Sequence, residues 1–225
     1  MRAMILAAGR GERMRPLTDV TPKPLLPVNG KPLLVYHLEK LAQQDVTDVV
    51  INHAWLGQQI EATLGDGSQF GLRIKYSSEP TGGLETAGGI IRALPLLGEE
   101  PFWVINGDIF TNLDFAELPR ELAPGKLAHL LMTENPDHNQ AGDFSLNNGQ
   151  LIPAQSGQKT YTYTGMGLFS PTLFSMYKPG QEQFVRLRPI LDNAIAQGQV
   201  AASLFTAAWT DVGTPQRLQQ LQEHP

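Results

Sequence analysis

Apolar residues fall into short unbroken runs separated by stretches of helical periodicity. Met4-Ile5-Leu6-Ala7-Ala8 is one such run, and Val49-Val50-Ile51-Asn52 and Phe102-Trp103-Val104-Ile105 repeat it. Runs of this length predict strands buried on both faces. Residues 72–76 alternate apolar and polar and predict another strand. Pro32 opens a helix with Leu34, His37, Leu38 and Leu41 near one face, proline being tolerated in a first helical turn. Residues 56–64 and 85–94 predict two more helices. Strands that alternate with helices across short connections predict an α/β chain. The expected architecture is a single Rossmann-like domain with a mixed, mostly parallel central sheet flanked by helices.

The second half is less regular. Residues 127–133 read as a central strand, and 144–152, with Asn147-Asn148-Gly149 at the middle, as a hairpin. Residues 160–169 alternate in part, 185–196 form an amphipathic helix ending at Gly198, and 201–205 give a late strand. A closing helix over 215–221 has Thr214 as its N-cap. No repeat or linker interrupts the pattern, so 1–225 is expected to be one domain.

At 225 residues the chain can bury roughly 70–75% of its unfolded surface. It has no cysteine, which excludes disulfides and thiolate metal sites. The first apolar stretch is too short for a signal sequence and no run reaches membrane-spanning length, so the cytoplasm is the expected location. Net charge is −5, but it is unevenly spread. Within residues 1–31, Arg2, Arg10, Arg13, Arg15, Lys23 and Lys31 face only Glu12 and Asp19, a balance of +4, leaving −9 on the rest. One small basic segment on an acidic chain suits a small polyanion better than nucleic acid or a membrane.

That segment follows the first strand. Gly9-Arg10-Gly11-Glu12-Arg13-Met14-Arg15 is a glycine loop with three arginines, and Lys23 follows between Pro22 and Pro24. Glycines let main-chain N–H groups reach phosphate oxygens, and arginines add forked, charge-assisted hydrogen bonds. The dinucleotide fingerprint fails because Met14 stands where its third glycine belongs, and the P-loop fails because no lysine follows Gly11. A turn with solvated arginines is the bland alternative, and the clustering of charge argues against it. In parallel sheets, ligands gather beyond the carboxyl ends of strands. The glycine loop, Gly82-Gly83-Leu84 and Asp108 all fall at such ends. Asp108 suits a Mg²⁺ ligand and equally a turn cap. Five histidines (His37, His53, His129, His138, His224) lack metal-ligand spacing and read as core or surface positions.

Leu6 to Thr18, followed by Pro22-Lys23-Pro24-Leu25, resembles the signature of the sugar-1-phosphate nucleotidyltransferase family. Weaker matches extend to Asp211. The resemblance implies an enzyme in which a sugar-1-phosphate oxygen attacks the α-phosphorus of a nucleoside triphosphate. It implies nucleotide contacts at Ala8, Gly9, Gly11, Glu12, Arg13, Lys23 and Gly83, with Arg13 and Lys23 as the catalytic cations. It also implies Mg²⁺ (or Mn²⁺) on Asp108 and Asp211, and sugar contacts at Asn106, Gly142, Asp143 and Thr164. Residues up to about 110 would then serve the nucleotide, and about 110–205 mainly the sugar.

Two departures stand out. Ser78 replaces a glutamine that relatives acting on uridine or thymidine nucleotides carry, and Ala154-Gln155 and Tyr163 replace usual sugar-side residues. The rebuilt Thr162-Tyr163-Thr164-Gly165-Met166-Gly167 segment and Trp209-Thr210-Asp211-Val212-Gly213-Thr214-Pro215 resemble family members that use UTP and a sugar bearing a lactyl carboxylate. Lys159 or Arg188 is the candidate cation for that carboxylate. A relative using GTP and mannose-1-phosphate, or a non-catalytic nucleotide-sugar sensor, remains the alternative. Oligomeric state is not legible.

Overall fold

The computed structural model describes residues 1–154 and 157–223. Gln155, Ser156 and His224 lie outside the described residues. In chain order the first half contains β1 (Arg2–Leu6), a ribbon of β2 (Pro27–Val28) and β3 (Lys31–Pro32), α1 (Leu33–Ala42), β4 (Asp48–His53) and α2 (Gly57–Leu64). It continues through β5 (Arg73–Ser78), α3 (Glu85–Leu97), β6 (Phe102–Asn106) and β7 (Ile109–Thr111). The second half adds β8 (Ala128–Thr133), β9 (Phe144–Asn147), β10 (Gln150–Pro153) and β11 (Thr160–Phe169). It ends with α4 (Leu187–Ala196), β12 (Val200–Leu204), β13 (Trp209–Asp211) and α5 (Pro215–Glu223).

The principal sheet has the order β5-β4-β1-β6-β11-β8-β12-β10-β9. Its β5, β4, β1 and β6 strands are mutually parallel, and only β11 and β10 run against the other seven. A mixed, mostly parallel sheet is thus what the chain builds. Strand alternation sorts the side chains into two layers. Ala3, Ile5, Val49, Ile51, Trp103 and Ile105 pack with α1 and α2, while Met4, Val50, Phe102 and Val104 pack with α3 and α4. Full burial of a Leu, Ile or Phe side chain contributes about 1.5–3 kcal/mol, so the double covering explains the unbroken apolar runs.

Several boundaries differ from the sequence expectation for identifiable reasons. β1 stops at Leu6 because Ala7 N–H leaves the ladder and donates to Asn52 Oδ1 at 2.9 Å. α3 continues through Pro95 to Leu97. Proline has no N–H for Ile91 O, and Gly180 N–H takes that carbonyl instead, at 2.9 Å. The α4 helix starts at Leu187, two residues late, because Val185 pairs its backbone with Leu84 O and Gly88 N. The small β7–β13 sheet has no counterpart in the sequence reading, since three-residue strands show no period.

Candidate active site

The turn out of β1 is shaped from below by Asn52, a buried polar residue near the end of β4. It accepts from Ala7 N–H and donates through Nδ2 to Glu79 Oε1 at 2.6 Å. Glu79 is itself buried, and its Oε2 accepts from Leu84 N–H at 2.8 Å. Burial raises the Glu79 carboxyl above the ordinary glutamate range, and the two hydrogen bonds only partly counter it. Three strand ends and the Gly82-Gly83 turn are thereby tied together.

Beyond that turn, Gly11 takes a left-handed φ of +70°, and a Cβ there would stand 2.9 Å from Thr18 Cγ2 and 3.1 Å from Lys23 Cβ. The absent side chain lets the lysine pass. Lys23 is 8% exposed and donates from Nζ to Asp108 Oδ2 at 2.5 Å. An ammonium carries three donors, so two remain for a ligand. Gly9, Gly11, Glu12, Arg13, Lys23 and Asp108 border one cavity of about 290 Å³, with Asn106 and Gly213 also on its wall. A second cavity of about 310 Å³ shares Gly9 and Thr86 with the first and is lined by Ala8, Asn52, Glu79 and Gly83.

Asp211 reaches this place through the β7–β13 ladder. It pairs with Ile109, and Val212 N–H donates to Asp108 O at 2.7 Å. Its Oδ1 meets Arg217 Nη1 and lies 2.7 Å from His138 Nε2, while its Oδ2 stands 2.7 Å from the Cβ position of Gly213. The backbones of the two aspartates adjoin, but only Asp108 borders a cavity, whereas Asp211 lines neither and is held by Arg217 and His138. Carboxylates are oxygen donors of the kind Mg²⁺ takes together with phosphate oxygens. The donor set fits the ion.

The remaining expectations divide. Of the three loop arginines, Arg13 lines the first cavity, Arg10 lines the second, and Arg15 lines neither. Arg10 bonds Thr18 O and Asp19 and lies 4.0 Å over the Trp55 ring, and Arg15 pairs with Asp19 at 2.8 Å. A carboxylate nearby in sequence wins both. Gly142, Asp143 and Thr164 line neither cavity. Thr164 is buried, its Oγ1 donating to Leu131 O and accepting from Met166 N–H, so the side chain serves the β11 bulge. The segment still touches the site, because Gly165 backs directly onto Asn106 and Trp209 Nε1 donates to Thr164 O.

Lys159 is held by Glu134, and Arg188 by Asp192 and the Phe144 ring; neither lines either cavity. His37 is core, with burial pushing it down to about 4, and His53 is buried against Glu61. His138 is the exception, sitting on Asp211. Sequence reasoning missed Asn52, Glu79, Thr86, Phe184 and Arg217. The one signal for Asn52 was a polar residue closing an apolar strand.

The profile of the nucleotidyl transferase family matches residues 2–224. The N-acetylmuramate alpha-1-phosphate uridylyltransferase of Neisseria meningitidis serogroup B is 51% identical, over 99% of this chain and 97% of that protein. The protein of the same description from Caulobacter vibrioides is 34% identical, over 95% and 92%. Among solved structures, the inositol-1-phosphate CTP transferase from T. maritima superposes with a TM-score of 0.76 at 21% identity, covering 99% of this chain and 94% of that one. That last likeness concerns the fold alone.

Proposed function

The chain belongs to the nucleotidyl transferase family, and from that premise we propose that it joins UTP to N-acetylmuramic acid α-1-phosphate, yielding the UDP-sugar and pyrophosphate. The end-to-end likeness to uridylyltransferases of that substrate supports the choice of sugar and base. The observation that carries the chemistry is Lys23 meeting Asp108 on the wall of the loop cavity.

An oxygen of the sugar phosphate attacks the α-phosphorus, the bond to the bridging α–β oxygen breaks, and pyrophosphate leaves with that electron pair. The acceptor is already an anion, so no general base is required. The difficulty is electrostatic, since one polyanion must approach another. Lys23 is assigned to the α-phosphate, Arg13 to the β- and γ-phosphates, and main-chain N–H groups of Gly9 to Glu12 to the remaining oxygens. These groups are fixed before substrate arrives, so they stabilise developing charge without reorganising. Asp108 and Asp211 would hold Mg²⁺, which supplies further charge neutralisation at the phosphates when bound. Ala8 and Gly83 border the cavity assigned to the base, with Asn106 between nucleotide and sugar. Gly142, Asp143 and Thr164 would serve the sugar through main-chain groups or as its supports.

On this reading 1–225 acts as one domain, with about 110–205 mainly on the sugar side. No helix among the described residues is long and apolar enough to cross a membrane, and a reaction consuming UTP suits the cytoplasm. Pyrophosphate release from four nucleoside triphosphates, each paired with several sugar-1-phosphates, tests the proposal. UTP with N-acetylmuramic acid α-1-phosphate is expected to lead. Preference for GTP with mannose-1-phosphate, or no release from any pair, would overturn it.

A further inference from the structure

The base-side cavity has a wall that the sequence motif does not contain. Phe184 lies about a hundred residues beyond Gly83, yet it lines the same cavity as Gly82, Gly83 and Glu85. It is 62% exposed and belongs to none of the apolar clusters among the described residues. A lone exposed phenylalanine is ordinarily unremarked. The backbone beside this one is held in place. Val185 N–H donates to Leu84 O and Gly88 N–H donates to Val185 O, both at 3.0 Å, so the extended segment is clipped to the start of α3 on both sides of Phe184's neighbour.

Gly88 explains how the segment comes so near. A Cβ there would fall 2.2 Å from Gln183 O and 3.2 Å from Val185 N. The structure shows Gly88 receiving the 183–185 segment, and its neighbour Gly89 abutting Glu79 and Asn52. The chain therefore gives up a side chain inside a helix, where glycine is unfavourable, at the point that brings an aromatic ring to the cavity rim.

We propose that Phe184 is a nucleotide-binding residue: its ring stacks on the face of the nucleobase whose edge meets the Gly83–Glu79 side of the cavity. The two walls divide the work. Polar main-chain and side-chain groups meet the base's hydrogen-bonding edge, whereas an aromatic face holds any flat heterocycle and adds affinity with little selectivity. The inference rests on the proposed nucleotidyl transfer, and it concerns the nucleotide only. Phe184 does not line the first, phosphate-side cavity, so it acts on binding and not on the chemical step.

The test is steady-state kinetics of the full chain with nucleotide varied at saturating sugar-1-phosphate. The nucleotide is the one a panel of four shows the wild type to use. Phe184→Ala is expected to raise the nucleotide KM on the order of tenfold, within the range of base–aromatic stacking. The KM for sugar-1-phosphate and kcat should stay near wild type, and Phe184→Tyr should restore the nucleotide KM. A second readout needs no turnover: fluorescence of Phe184→Trp should be quenched by added UTP, over the background of Trp55, Trp103 and Trp209 measured in the wild type. An unchanged nucleotide KM in Phe184→Ala, or no fluorescence change unique to Phe184→Trp, overturns the inference. A wild type that releases no pyrophosphate with any nucleotide fails the proposed function instead, and Phe184→Trp titrated with UTP then still decides whether the ring meets a base.

Discussion

Asn52 and Glu79 are joined by a 2.6 Å hydrogen bond on the wall of the second cavity, although 27 residues separate them. The link fixes that wall of the site, since Asn52 also receives Ala7 N–H and Glu79 also receives Leu84 N–H. Only a carboxylate accepts from both donors at once. A glutamine accepts from one and turns its own N–H₂ toward the other.

Glu79→Gln should therefore separate stability from function. Burial dominates the Glu79 carboxyl and raises it above the ordinary value of 4.5. The folded state thus holds the proton more tightly than the unfolded one. The stability Glu79 contributes is complete below about 4.5 and is lost as pH rises through the raised folded value. Glutamine carries no charge to desolvate, so urea midpoints of the variant should gain on wild type as pH increases from 4 to 7. The nucleotide KM should rise meanwhile, because the Gly83–Leu84 turn loses an anchor. Parallel stability curves across that range would refute the account.

Lys23→Met keeps the aliphatic stem and removes the ammonium. The stem is largely buried, so the melting temperature should change little. Turnover should fall by about 10²–10³, the effect of deleting one preorganised charge-stabilising group. A folded variant with wild-type kcat would remove Lys23 from the reaction.

How much of this arrangement the sequence discloses depends on range. β1, β4 and β6 are buried on both faces and so carry continuous apolar runs that need no partner to be recognised. Gly9, Gly11, Arg13 and Lys23 lie within fifteen residues of one another, and Asp108 follows a strand end, so local chemistry points at them. Arg15 misleads because the same local reading counts cations without asking which anion is nearer, and Asp19 sits four residues away from it. Glu79 with Asn52, Arg217 with Asp211, and Phe184 with Gly83 are contacts between single residues far apart in the chain. Neither period nor composition records them. The boundaries of α3 and α4 shift for the same reason, being set by Gly180 and Leu84 from elsewhere in the fold.

Gly11→Ala should damage both stability and turnover. An alanine at φ +70° meets the cost of the left-handed region, about 1–2 kcal/mol. Its methyl would also press on Thr18 and on Lys23 Cβ. A second substitution separates the two effects: Gly30→Ala, at φ +78° with nothing within 4 Å of the Cβ position, should show the backbone cost alone with kcat intact. Equal kcat values in the two variants would mean that Gly11 does not govern the lysine.

Chelation should abolish turnover, and added Mg²⁺ should restore it. Asp211→Asn bears more directly on the proposed ligand pair. In the structure Asp211 already holds Arg217 and His138 through Oδ1, so an arriving cation would share a carboxylate whose charge is partly committed. Asparagine keeps the shape and removes the charge, and the Mg²⁺ concentration for half-maximal activity should rise at least about tenfold. Arg217→Met works in the opposite sense. It frees Oδ1 of the carboxylate from the guanidinium that meets it, and the Mg²⁺ requirement should fall or stay level even if turnover drops. Calorimetric titration of Mg²⁺ in the presence of UTP measures both shifts without relying on rate. A shift to weaker binding in Arg217→Met would show that the arginine supports the metal site instead of competing for it, and an unshifted Asp211→Asn would leave Asp108 as the only protein ligand.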